Sequence, residues 1–94
     1  MSGVDLTIDG ATIPDEAAFH ALIREASGVE WYGGSLDALF DLLVAVVAPP
    51  IRLHIVNAAA ARATIGVRFD RIVTVIMDAV AERGTAAVAL RLES

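Results

Sequence analysis

Several features are missing from this sequence, and each absence argues against a class of structure. There is no cysteine, so neither disulfides nor thiolate metal sites form, and a reducing compartment is compatible with the chain. The longest apolar run, residues 42–50, is much shorter than the roughly 20 residues that a membrane-spanning helix needs. The first residues show neither the basic segment nor the apolar core of a signal peptide. We therefore expect a cytoplasmic protein that does not bind membranes.

Basic side chains are also scarce. All seven basic residues are arginine, against twelve acidic residues, and the formal net charge is −5. Because an acidic surface repels phosphate backbones, we expect no binding to nucleic acid. The same charge favours a basic partner, and a nuclease is such a partner because its own substrate is a polyanion. The hydrophobic fraction of 56% over 94 residues is ample for the core of one domain, which we predict to span residues 1–94.

Alternating and helical hydrophobic patterns follow one another along the chain. Strands are predicted around residues 4–8, 51–55 and 88–92, and the polar alternates Arg52 and His54 indicate that the second is an edge strand. Helices are predicted over residues 15–27, 36–47 and 67–82, the last with Gly84 as a left-handed cap. Asn57 is predicted to cap a short alanine-rich helix that ends near Gly66. The order β-α-α-β-α-α-β predicts an α/β fold with parallel pairing and right-handed crossovers.

The helix predicted over residues 36–47 carries only two charged side chains, Asp37 and Asp41, one turn apart. Like charges at this spacing repel one another by roughly 0.2–0.5 kcal/mol. Asp37 gains from the positive end of the helix, whereas Asp41 lies a turn further on and gains less. The simplest interpretation is a solvated helix face, since most carboxylates on amphipathic helices are exposed. A partner with a basic pocket would compensate for the repulsion, so the pair is also a candidate binding site.

The loop before this helix holds two adjacent aromatic residues, Trp31 and Tyr32. Aromatic side chains beside charges are typical of interface centres, although either ring could equally belong to the core. Gly33 lets the loop backbone approach another surface or simply makes the turn. Ser35 is a predicted N-cap, because its hydroxyl can accept a free amide of the first helical turn.

A second acidic pair, Asp78 and Glu82, lies one turn apart on the last predicted helix, opposite its apolar face. Arg71 and Arg83 are near in sequence. A solvated face is therefore the simpler interpretation of this second pair.

A resemblance to the barstar family is carried by residues 31–43, which read Trp31-Tyr32-Gly33-Gly34-Ser35-Leu36-Asp37-Ala38-Leu39-Phe40-Asp41-Leu42-Leu43. The family shows an aromatic pair, Gly, a polar pair, Leu-Asp-Ala-Leu, an aromatic residue and Asp. Weaker likenesses at residues 8–10, 50 and 78–84 extend the resemblance over nearly the whole chain. It implies a three-stranded parallel sheet with packed helices, and it favours a cis bond before Pro50, which the residues alone do not decide.

The resemblance also implies a function and the residues that carry it. The chain would inhibit a basic extracellular ribonuclease of the barnase type, as an antitoxin does, by filling the active site with carboxylates that mimic substrate phosphate. By position, Asp41 matches the dominant anchor and Asp37 its neighbour. The other matched positions are the aromatic contacts Trp31 and Tyr32, the helix-cap contact Ser35, the interface positions Gly33, Phe40, Val44 and Val46, and the peripheral acidic pair Asp78 and Glu82. No catalytic residue, cofactor or metal is implied.

Departures from the family pattern leave an alternative open. Family members often have Asn in place of Ser35, and Trp in place of Phe40 and Val46. The chain could therefore be an interaction domain of the same fold that binds a different basic protein without inhibiting a ribonuclease.

Two further hypotheses are that the protein is an enzyme and that it self-associates. An enzyme is disfavoured because no nucleophile elbow or phosphate-binding loop is present, and we expect His20 and His54 to be exposed or half-buried bystanders. Self-association through an exposed apolar patch, for example at Leu42 and Val46, is the other reading. We expect a monomer when the protein is free of its partner.

Overall fold

Two helices separate each strand from the next along the chain, in the predicted order. The computed structural model describes residues 3–94. Within that range the elements are β1 (Val4–Asp9), α1 (Glu16–Ser27), α2 (Leu36–Asp41), β2 (Ile51–Val56), α3 (Ala58–Ile65), α4 (Val67–Arg83) and β3 (Val88–Leu92). A π-helical segment, Leu42–Val46, follows α2 directly, and we call it the π segment. No helix among the described residues is both long and apolar enough to cross a membrane.

The three strands form one parallel sheet in the order β1-β2-β3, with Ile51 opposite both Val4 and Val88. The predicted α/β fold is thereby confirmed. The prediction of an edge position for the second strand is wrong, because β2 lies in the centre of the sheet. Arg52 and His54 alternate with apolar residues because they lie on the face of the sheet that is open to solvent.

The core lies between the other face of the sheet and the helices. Alternate residues of the strands point into it, as the period of two requires. Every strand and helix contributes buried side chains, among them Ile8, Phe19, Ile23, Leu39, Ile51, Leu53, Ile55, Ala61, Phe69, Ile72, Ile76 and Val88. Each large apolar side chain buried in this way contributes about 1.5–3 kcal/mol relative to an exposed one.

The helix predicted over residues 36–47 does not continue as an α-helix. Regular α-helix ends at Asp41, and the π segment ends where Val47 adopts an extended conformation. Arg83 of α4 donates from Nη1 to the carbonyl oxygens of Leu43 (2.8 Å) and Val47 (3.0 Å). The arginine thus satisfies carbonyl groups that the end of a helix leaves without partners. The Pro49-Pro50 peptide bond that follows is cis.

Two helix caps also differ from those predicted. Asn57 occupies the N-cap position of α3 with a φ of 53°, but its side chain makes no capping hydrogen bond. Its amide instead donates to Asp9 Oδ1 at 2.9 Å, which ties the end of β1 to the start of α3 and holds the pKa of Asp9 below its ordinary value. Gly84 has a positive φ of 90° but a ψ of 155°, so its backbone is not left-handed helical.

Candidate functional site

The start of α2 is set by Ser35. Its backbone is extended, and its Oγ accepts a hydrogen bond from the Ala38 amide at 3.0 Å, which confirms the predicted N-cap. Leu39 is fully buried, and α2 packs against α4. Because Leu39 faces the core, Asp37 and Asp41 lie on the side of α2 that is exposed to solvent.

Neither of these aspartates is neutralised by the chain itself. Among residues 3–94, Asp37 and Asp41 make no ion pair and no side-chain hydrogen bond. Arg83 reaches the π segment from α4, but its Nη1 atom donates to the carbonyl oxygens of Leu43 and Val47. The negative charge on α2 is therefore free to act on an external cation.

The two aromatic residues of the loop have different surroundings. Trp31 is 71% exposed, whereas Tyr32 is only 2% exposed. The Tyr32 hydroxyl lies 2.5 Å from His20 Nδ1 on α1, so the side chain points inward. The structure therefore does not present the Tyr32 ring as an aromatic contact, and of the two possibilities raised by the sequence, the core position is the one that Tyr32 occupies.

The remaining predicted residues of the loop, α2 and the π segment differ in exposure. Gly33 and Ser35 are exposed, Phe40 and Val44 are half-buried, and Val46 is 40% exposed. We define the acidic face as the exposed side of the loop and α2, formed by Trp31, Gly33, Ser35, Asp37 and Asp41 and bordered by Phe40, Val44 and Val46. The loop and α2 thus carry two exposed carboxylates and one large exposed aromatic ring, followed along the chain by partly exposed apolar side chains.

The second acidic pair lies on the neighbouring helix. Asp78 and Glu82 are exposed on α4, which packs against both α2 and the π segment. The two side chains make no ion pair within the described part of the chain. Arg83 does not neutralise them, since its Nη1 atom bonds to backbone carbonyls. The pair is therefore a second group of unpaired carboxylates, on the helix that packs against α2.

A buried polar network behind the loop was not predicted from the sequence. His20 is 5% exposed rather than exposed or half-buried, and its Nε2 lies 2.9 Å from Glu16 Oε2. Arg68 of α4 donates to both oxygens of the same carboxylate, at 2.7 and 3.2 Å. This pairing lowers the pKa of Glu16 and raises that of Arg68. The spacing of Glu16 and His20, one helical turn apart, was the available signal, but spacing alone does not reveal burial.

The chemistry that these groups offer is recognition of cations. Within residues 3–94 no three His, Asp or Glu side chains converge to hold a metal ion. His54, on the open face of the sheet, pairs with Glu93 beside Arg91. The acidic face, by contrast, offers unpaired carboxylate oxygens, which accept strong hydrogen bonds from charged donors.

Comparison with known protein families matches residues 4–93 to the family described as Barstar (barnase inhibitor). The match covers nearly the whole chain. A search among curated proteins found no match.

Proposed function

The chain belongs to the barstar family, and from that premise we propose that it inhibits a secreted ribonuclease of the barnase type. Family members are inhibitors and not enzymes, so its task would be to bind and not to catalyse. We further propose that it acts as a monomeric antitoxin in the cytoplasm, and that residues 1–94 form one domain.

The observation that carries the proposal is the unpaired state of Asp37 and Asp41 on the exposed side of α2. A ribonuclease places cationic groups where charge develops on the phosphate in the transition state. Asp41 would enter that site and accept charge-assisted hydrogen bonds, with Asp37 alongside it. Trp31, at 71% exposure, would supply an aromatic contact next to the carboxylates.

The charge of the whole protein supports the same role. With a net charge of −5, the molecule attracts a basic partner over a distance. Asp78 and Glu82 on α4 would contribute to this attraction without entering the active site. The association rate should therefore fall as salt concentration rises, because the Debye length shrinks to about 10 Å at 0.1 M salt.

Titration of the protein into barnase, with RNA cleavage as the readout, tests the proposal. We expect stoichiometric inhibition by the wild type and a loss of at least about 2 kcal/mol of binding free energy in Asp41→Ala, the general threshold for an interface hot spot. Glu25→Ala is the matched control, since Glu25 is exposed on α1 and its removal changes the net charge equally. An unchanged inhibition constant in Asp41→Ala would contradict the assignment of the anchor.

The alternative is an interaction domain that binds another basic protein. The observation that favours it is the modest apolar border of the acidic face, where Val46 is only 40% exposed and Phe40 is half-buried. Both are smaller than the tryptophan that family members often carry. Lack of inhibition across a panel of barnase-type ribonucleases would favour this alternative over the first proposal.

A further inference from the structure

The buried histidine on α1 bridges the helix and the loop of the acidic face. His20 Nδ1 contacts the Tyr32 hydroxyl, and Nε2 contacts Glu16 Oε2. With a neutral imidazole, both contacts are satisfied when the hydroxyl donates to Nδ1 and Nε2–H donates to the carboxylate. Burial, reinforced by the charge of Glu16, raises the pKa of Tyr32. The Tyr32 hydroxyl therefore stays protonated and can act as the hydrogen-bond donor to Nδ1.

The far end of this bridge is anchored on another helix. Arg68, near the start of α4, holds the Glu16 carboxylate through both Nε and Nη2. A paired guanidinium and carboxylate have a defined mutual orientation. The contacts therefore run without interruption from α4, through α1, to Tyr32 in the loop, and we call Glu16, His20 and Tyr32 the strut.

Besides the contact with His20, the Tyr32 ring is buried in the core, and the Tyr32 amide donates to the Val29 carbonyl oxygen at 3.1 Å. A cleft lined by Ala17, Ala21, Arg24 and the loop glycines lies between the two segments. Gly34 has a φ of 77°, and a Cβ there would approach His20 Cβ to 3.3 Å, so the loop lies directly on the histidine at this point. No atom comes within 4 Å of a Cβ built at Gly33. The Tyr32–His20 hydrogen bond is accordingly the polar contact that fixes the direction of the Tyr32 side chain, between the exposed residues Trp31 and Gly33.

We propose that Glu16, His20 and Tyr32 are positioning residues that hold the loop in the shape required for partner binding, without touching the partner themselves. This inference rests on the proposed function. If the strut is broken, the loop spends only part of its time in the competent shape, and the apparent dissociation constant rises in inverse proportion to that fraction. The weaker affinity should appear as a lower association rate constant, because a bound ribonuclease itself holds the loop in place.

The first test needs no partner, because Trp31 is the only tryptophan and lies next to Tyr32. Time-resolved fluorescence anisotropy of Trp31 should show faster local motion in Tyr32→Phe than in the wild type. His20→Asn, whose amide oxygen can take the place of Nδ1, should restrict Trp31 more than His20→Gln, whose amide instead reaches the position of Nε2. The matched control is Arg62→Gln, which breaks the Arg62–Asp70 ion pair between α3 and α4. It should leave Trp31 unchanged.

The second test measures binding kinetics with barnase. Tyr32→Phe should lower the association rate constant about tenfold per folded molecule, with the dissociation rate constant changed less than about twofold. If Tyr32→Phe lowers only the melting temperature and leaves Trp31 motion and the association rate constant unchanged, as we expect of Arg62→Gln, the proposal is overturned. A mobile Trp31 with unchanged association would overturn it equally. If the wild type does not bind barnase, the proposed function fails, and the anisotropy alone then decides whether the strut orders the loop.

Discussion

Replacement of Arg83 by methionine should destabilise the protein, because this side chain completes the unusual end of the second helix. Its Nη1 atom donates to two carbonyl oxygens, those of Leu43 at 2.8 Å and Val47 at 3.0 Å. Methionine keeps the aliphatic part of the side chain but cannot donate. Both carbonyls, in a half-buried place between α4 and the π segment, would lose their charged donor.

The expected magnitude follows from these two contacts. Hydrogen bonds from a charged donor contribute about 1.5–3 kcal/mol each, and partial access of water to the site reduces that value. For both bonds together we expect a loss of about 2–4 kcal/mol in the free energy of unfolding. In a domain of this size such a loss lowers the melting temperature by at least about 8 °C.

Urea denaturation monitored by circular dichroism measures this loss directly. The matched control is Arg71→Met on the same helix, since Arg71 is exposed and makes no ion pair within residues 3–94. Its effect should stay within about 0.5 kcal/mol, as is usual for surface substitutions. Equal effects of the two methionine variants would refute the assigned role of Arg83 at the π segment.

Three further predictions concern stability. Asp41→Ala should stabilise the free protein by about 0.5–1 kcal/mol in thermal unfolding, since it removes a like-charge repulsion and a weak helix former, and a lower melting temperature would speak against this. Arg68→Gln should be less stable than the wild type at neutral pH. Because Arg68 lowers the pKa of Glu16, its contribution is complete above the ordinary glutamate value of 4.5 and is lost as pH falls through the lowered pKa, so a pH-independent difference in urea denaturation would disprove the linkage. Gly34→Ala should cost about 1–2 kcal/mol, because a positive φ is unfavourable for alanine. The cost of Gly33→Ala should be below about 0.5 kcal/mol, and equal costs would contradict the conformational argument.

The fold could be predicted because apolar periodicity distinguishes strands from helices without knowledge of their partners. The position of β2 in the sheet could not be predicted in this way. Alternation of polar and apolar residues indicates that one face of a strand is solvated, but it does not show whether other strands pair with it on both sides. Arg52 and His54 fit a central strand with an open face as well as an edge strand. The order of strands in the sheet depends on the crossovers, which the local pattern does not describe.

The carboxylates of the candidate site were accessible to sequence reasoning, and the environment of the aromatic pair was not. Asp37 and Asp41 lie opposite a buried leucine, so helical periodicity alone predicts that they are exposed. Trp31 and Tyr32 are adjacent in a loop, where no periodicity assigns a direction to either ring. The inward direction of Tyr32 depends on a buried partner on another helix, which is a tertiary contact.

We propose that Asp41 on the acidic face occupies the active site of a barnase-type ribonuclease. The initial rate of RNA cleavage by barnase, measured at several RNA concentrations with the wild-type protein and with Asp41→Ala, tests this proposal. We expect competitive inhibition, with an apparent inhibition constant that rises with RNA concentration and is much higher for Asp41→Ala than for the wild type. An inhibition constant that is independent of RNA concentration, or equal for the two proteins, would contradict the proposal.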